Sequence, residues 1–136
     1  MTDENRRRNA RDEWALAESS WAAAELLRQN GFHRDAVARY YYAAFHAARA
    51  ALLTHGEEPR THLGVSSRFN ELFVRDGLMP ATSSRALGRL QREREQADYH
   101  RDVVFVEADV EEARQSVEEF LEALRAVLTQ GGWLES

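Results

Sequence analysis

The sequence predicts an all-α fold, an antiparallel up-and-down bundle of four long helices plus one shorter helix. Three observations carry this. Apolar residues recur every three or four positions along nearly the whole chain, the spacing that lines them up on one helix face. The run 103–106 is the only β-like segment, and it sits in a short connection. Seven Gly and two Pro in 136 residues are few for an all-β chain that must turn every ten residues or so. A chain of this length is expected to form a single domain, 1–136, with its core over about 12–128 and a loose C-terminal tail at 129–136.

Each helix follows from its stripe and its stop signals. The first runs over about 5–29, with Trp14, Ala17, Trp21 and Ala24 on one stripe and Leu16, Ala23 and Leu27 beside it; Gly31 ends it. The second covers about 34–54 and turns Val37, Tyr40, Tyr41, Ala44, Phe45, Ala48, Ala51 and Leu52 inward, until Gly56 and Pro59 break the pattern. Thr61 caps the short third helix, which carries Val65, Phe69, Leu72 and Phe73 and stops at Asp76-Gly77. The fourth spans about 81–99, with Leu87, Leu90 and Ala97 among its apolar positions. The fifth opens near Asp109 with acidic residues, as the helix dipole prefers, and buries Val110, Ala113, Val117, Phe120 or Leu121, Leu124 and Leu128. In the tail, Trp133 is able to dock. The Ala-rich helix faces suit both a packed bundle and close approach of a second chain.

Composition removes several classes of function. The chain has no cysteine, which excludes disulfide scaffolds, zinc ribbons, iron–sulfur sites and thiol nucleophiles. No apolar run approaches the length of a membrane-spanning helix and the polar start is no signal peptide, so the cytoplasm is the expected location, without a membrane partner. All 18 basic residues are Arg, each a planar fork suited to phosphate or carboxylate. Residues 102–136 hold 9 acids against 2 Arg, whereas the rest of the chain is slightly basic. A uniformly basic nucleic-acid coat is therefore absent, and a local basic site beside an acidic C-terminal helix is what charge allows. There is no Glu-x-x-His pair, His-Glu-x-x-His, Walker loop or Gly-x-Gly-x-x-Gly, and no pair of His has metal-ligand spacing; no metal and no cofactor is expected.

Two stretches carry the chemistry. In 92–101, three Arg, a His, a Tyr and an Asp are packed at the end of the fourth helix. Arg94 and Asp98 are four apart and share a face, so the carboxylate can orient the guanidinium. Arg neutralises phosphate, His moves protons near neutral pH, and Tyr stacks on a base or donates a hydrogen bond. The plainer alternative is a solvated face laced with i,i+4 pairs. In 39–49, three consecutive Tyr cannot all point inward, and His46 borders the core, where a hydrogen-bonded packing role is the ordinary one. His33, His55 and His62 lie near helix ends.

The block Tyr40-Tyr41-Tyr42-Ala43-Ala44-Phe45-His46-Ala47-Ala48-Arg49, the segment Gly56-Glu57-Glu58-Pro59-Arg60-Thr61-His62 and the block Arg94-Glu95-Gln96-Ala97-Asp98-Tyr99 resemble the small prokaryotic HEPN-domain proteins. The resemblance spans roughly residues 12–128. It implies a helical bundle, a homodimer, and a metal-independent ribonuclease site built on Arg followed after four to six residues by His. It also implies a toxin paired with a minimal nucleotidyltransferase antitoxin. Arg94 and His100 have five residues between them and meet that spacing. The commonest toxin form has four, with a Tyr two positions beyond the His. Here Tyr99 stands at the four-residue spacing and Asp102 two positions after His100.

The expected function is thus an RNA-cleaving toxin component acting at an Arg-x5-His site. Arg94, His100, Tyr99 and Asp98 form the catalytic group, and Arg89, Arg92 and Arg101 hold flanking phosphates. The competing readings are a non-catalytic module that docks a nucleotidyltransferase or binds a nucleotide, and a structural dimer. Arg94, Asp98, Tyr99 and His100 are expected on one accessible concave surface, with Arg94 and His100 exposed enough that replacing either leaves the fold intact.

Overall fold

The computed structural model describes residues 2–135; Met1 and Ser136 lie outside the described residues. Five α-helices and no strand are present among them: α1 (Asp3–Gln29), α2 (His33–Leu53), α3 (His62–Phe69), α4 (Thr82–Tyr99) and α5 (Glu107–Gln130). α3 runs on into a π-helical turn, Asn70–Val74. Cross-helix contacts fix the directions. Glu13 and Glu25 of α1 meet His46 and Tyr40 of α2, so the two helices are antiparallel. Arg34 and Tyr41 of α2 meet Ala97 and Arg94 of α4, again antiparallel. Arg114 and Arg125 of α5 pair with Glu25 and Glu18 of α1, which places α5 antiparallel to α1 as well.

The caps follow local chemistry. The Thr2 hydroxyl accepts the Asn5 N–H at 3.1 Å, starting α1 slightly earlier than its apolar stripe alone indicates. Gly31, at φ 78°, turns the chain into α2. The Thr61 hydroxyl accepts the Gly64 N–H at 3.0 Å, as the sequence predicts. Asp109 does not itself open α5. Its carboxylate reaches back to the Val106 N–H at 2.9 Å, so the helix begins at Glu107 and Asp109 sits in its first turn.

α2 lies at the centre, packed by α1, α3, α4 and α5. Its alanines at 36, 43, 44, 47, 48, 50 and 51 are wholly buried. Small side chains let neighbouring backbones approach closely, and in α2 they are used up inside the chain rather than offered to a second copy. Around them pack Trp14, Phe69, Phe73, Leu87, Leu90, Val117, Phe120, Leu124 and Leu128 in one continuous core. Tyr41, Phe69, Leu90 and Phe120 are buried as their stripes require, while Phe45 is only half-buried.

Two expectations are corrected. Leu16, read as flanking the buried stripe of α1, is 49% exposed, because it lies at the edge of that stripe away from the side that meets α5. The described part of the tail, residues 129–135, is docked rather than loose. Thr129 and Gln130 continue α5, Leu134 is buried, and α1 arginines hold the rest: Arg7 Nε donates to the Gly132 carbonyl at 3.2 Å and Arg11 Nε to the Trp133 carbonyl at 3.3 Å. The Arg7 guanidinium also lies 5.4 Å from the Trp133 ring.

Candidate functional site

The centre of the site is Arg94, on the last two turns of α4. Its Nη1 donates to Asp98 Oδ2 at 3.3 Å and its Nη2 to Gln91 Oε1 at 3.2 Å, both on the same helix face. The guanidinium carbon lies 5.4 Å from the Tyr41 ring and 5.9 Å from each of Tyr42 and Tyr99, within reach of three π-faces. Its side chain is only 14% exposed, and Nε is buried without a hydrogen-bond partner. Burial works against the charged form, but Asp98 and the tyrosines outweigh it and raise the pKa of Arg94 above the usual arginine value. Arg94 is therefore a fixed, permanently charged group. The expectation that it is an exposed side chain, removable at no cost to the fold, is corrected: it packs between α2 and α4.

Behind Arg94, α2 and α3 are stitched by polar contacts. The Tyr41 hydroxyl and His62 Nδ1 are 2.5 Å apart, and His62 Nε2 is 3.3 Å from the Ser66 hydroxyl, so both ring nitrogens are engaged. Burial and the Arg94 charge push the His62 pKa down, and burial pushes the Tyr41 phenol well above its ordinary range. Both groups are neutral at pH 7. One turn further along α2, His46 Nδ1 donates to Glu13 Oε2 at 2.6 Å, and Arg49 stands 3.7 Å from the same carboxylate.

At the end of α4 the chain leaves the helix in an extended conformation at His100 (φ −118°, ψ 93°). This turn is gripped by Arg34 of α2. Its Nη1 donates to the carbonyls of Ala97 at 2.7 Å, Gln96 at 3.0 Å and His100 at 3.1 Å, and its Nη2 donates to the Val103 carbonyl. Gln96 and Ala97 belong to the last turn of α4, His100 caps it and Val103 lies in the connection beyond, so the guanidinium sits at the negative end of the helix dipole and ties that end to the chain that follows. Tyr99 is 72% exposed and the His100 side chain points to solvent.

The comparisons with known proteins agree with this architecture. The model of the HEPN domain matches residues 10–127. The chain belongs to the HEPN family. It is 37% identical over 116 residues to a Methanocaldococcus jannaschii protein named "Putative toxin MJ0605", covering 83% of this chain and 87% of that one. A UPF0332 protein of Thermotoga maritima is 33% identical over 105 residues, 77% of this chain and 80% of its own length. A second M. jannaschii protein, "Putative toxin MJ0142", is 32% identical over 83 residues, 61% of this chain and 56% of its own.

Within this HEPN protein the sequence-read residues divide. Arg94, Asp98 and Tyr99 come together. His100 follows directly in sequence, but only its backbone is held. Arg89 faces the other way, toward α5, where it donates to the Ser116 hydroxyl and pairs with Glu93 at 3.5 Å. Arg92 and Arg101 are exposed. The residues that frame the guanidinium, Tyr41 and Tyr42, and the neighbouring His62, Ser66, Glu13 and Arg34 are not legible as a site from spacing. Tyr41 and Tyr42 fall in the aromatic block on α2, where Tyr40 and Tyr41 turn out buried and Tyr42 half-buried, and His62 falls in the Gly56–His62 segment that also carries the resemblance. A separate groove of about 390 Å³ between α1 and α5 is lined by Trp14 and Trp21, but Arg125 and Arg114 of the same chain already cover those rings at 5.5 Å each.

Proposed function

We propose that this HEPN protein is a toxin that cleaves RNA without a metal or other cofactor, in the cytoplasm, as a homodimer neutralised by a minimal nucleotidyltransferase antitoxin. The observation that carries the reading is the state of Arg94. Its charge is fixed, its plane is set by Asp98, Gln91 and three tyrosine rings, and it stands at the exposed end of α4 beside Tyr99. A guanidinium held this way binds a phosphodiester and stabilises the extra negative charge of its transition state without first reorganising. Tyr99 offers a ring face for a base. His100 gives a proton to the leaving 5′-oxygen as the ribose 2′-hydroxyl attacks phosphorus, and Arg92 and Arg101 hold flanking phosphates. No helix of the described residues is long and apolar enough to cross a membrane, and the relatives named as toxins support the toxin half of this reading.

A second reading, a non-catalytic module that docks a nucleotidyltransferase or binds a nucleotide, is favoured by one feature: the His100 side chain makes no hydrogen bond to Arg94 or to its tyrosine frame. A cleavage assay on a labelled RNA separates the two. Arg94→Gln and His100→Ala should each lower the rate by about two orders of magnitude or more if both groups act on the phosphodiester. Loss with Arg94→Gln alone removes His100 from the mechanism. No cleavage by the wild-type protein, together with binding of the RNA or of a nucleotide that Arg94→Gln weakens, establishes the binding module.

A further inference from the structure

Arg89, expected from the sequence to hold a phosphate beside Arg94, instead leaves α4 toward α5. A groove of about 310 Å³ opens there. Thr82, Ser83 and Arg89 of α4 face Ser116, Glu119 and Phe120 of α5 across it.

The groove begins at the N-terminus of α4, where the first N–H groups lack a partner inside the helix. Ala81, at the cap, supplies no side-chain acceptor, and the first turn holds no acidic residue. The Ser83 N–H is taken by the Pro80 carbonyl at 2.9 Å, but that of Thr82, first in the helix, has no backbone acceptor. A helix start in this state favours an anion through its dipole and its free N–H.

Ser83 points to a ligand independently. It is 5% exposed, yet its hydroxyl has no protein partner, whereas the next residue, Ser84, spends its hydroxyl on Asn70 Oδ1 at 2.7 Å. Ser83 Oγ is not among the polar atoms sealed off without a partner, so it opens into the groove that Ser83 lines. A nearly buried hydroxyl costs stability until water or a ligand satisfies it.

Arg89 lines the same cavity. Its Nη2 donates to the Ser116 hydroxyl, which leaves the Ser116 hydrogen free to donate in turn. Its Nε lies 3.5 Å from the Glu93 carboxylate and makes no hydrogen bond. One carboxylate lines the groove, that of Glu119, which accepts from Gln115 Nε2 at 3.4 Å along α5. Donors from Thr82, Ser83, Ser116 and Arg89 therefore outnumber acceptors, and the complementary ligand is an oxyanion.

We propose that this groove is an anion site, separate from Arg94, that takes the phosphoryl group of a phosphomonoester. The Thr82 N–H and the Ser83 hydroxyl donate to its oxygens, and Arg89 supplies the compensating charge. The site lies on the α5 side of α4, whereas Arg94 lies on the α2 side, and it stands independently of the ribonuclease reading.

A titration with inorganic phosphate at constant ionic strength, followed by the backbone amide resonances, tests it. The signals of Thr82, Ser83 and Ser116 should shift saturably. Ser83→Ala, which removes only an unpartnered hydroxyl, should weaken binding by about tenfold, and Arg89→Gln by at least as much. Ser83→Ala decides alone if Arg89→Gln loses its helical circular dichroism. Glycerol phosphate and a 5′-phosphorylated 2′-O-methyl RNA oligonucleotide, each beside its dephosphorylated form, distinguish a small phosphorylated molecule from an RNA end. The one that binds more tightly than inorganic phosphate through these amides names the source. If neither does, the groove holds an adventitious ion only and the proposal falls. Shifts that rise linearly with phosphate, shifts confined to 94–101, or wild-type affinity in either folded variant also overturn it.

Discussion

Arg34→Ala is the perturbation whose effect can be worked out most fully. A single guanidinium serves the carbonyls of Gln96, Ala97, His100 and Val103 and lies 5.3 Å from the Phe105 ring. A hydrogen bond to a charged donor contributes about 1.5–3 kcal/mol. Three of the four bonds share one nitrogen, and several of these carbonyls gain water once the side chain is gone. Counting roughly two effective bonds gives a loss of about 3 kcal/mol. With an unfolding entropy of about 2.1 cal/mol/K per residue, a chain of 136 residues loses roughly 10 °C in Tm. Thermal unfolding followed by far-ultraviolet circular dichroism measures this. Arg34→Lys keeps a charge at the helix end but not the fork, and should recover no more than about half of the loss. Hydrogen exchange should quicken at the amides of 98–103 and not in the centre of α2. A fall of less than about 3 °C in Arg34→Ala, or a Lys variant as stable as wild type, would refute the idea that the fork holds the end of α4.

Further predictions concern other contacts. His62 has its pKa lowered from 6.5 by burial and by Arg94, so the unfolded chain binds its proton more readily than the fold does. Stability should therefore decrease as pH falls below 6.5 toward the lower folded value, and His62→Gln should flatten that part of the Tm–pH curve. An equal slope in the variant would assign the dependence to another group. Tyr41→Phe leaves His62 Nδ1 without its 2.5 Å partner and should cost about 1–3 kcal/mol in urea unfolding, more than the same change at the half-buried Tyr42. Leu134→Ala should destabilise by about 2 kcal/mol, since Leu134 is buried against the bundle; a variant indistinguishable from wild type would mean that the tail does not dock in solution. Arg94→Gln should lower stability by about 1–2 kcal/mol in addition to its effect on RNA, because the guanidinium packs against three rings.

The sequence by itself determined the helices and the core. The 3–4 spacing of Trp14, Ala17 and Ala24, of Tyr41, Ala44 and Ala48, and of Val110, Ala113 and Val117 needs no partner to be read, because periodicity is a property of one helix. Caps at Thr61 and stops at Gly31 and Gly77 are equally local, resting on a side-chain oxygen or a positive φ within a few residues. The pairing of Arg94 with Asp98 was legible for the same reason, one turn apart on one face. What lies across helices was not. Nothing local links Tyr41 to His62, Glu13 to His46, Arg34 to the end of α4, or Arg7 and Arg11 to the tail carbonyls, at separations of 21, 33, 62 and 122 residues or more. Nor did spacing show that Arg89 turns toward α5 while Arg94 turns toward α2. Those choices depend on which helix packs against which face, and tertiary packing decides them by favouring arrangements in which buried donors and carboxylates find partners on whichever helix their neighbours bring near.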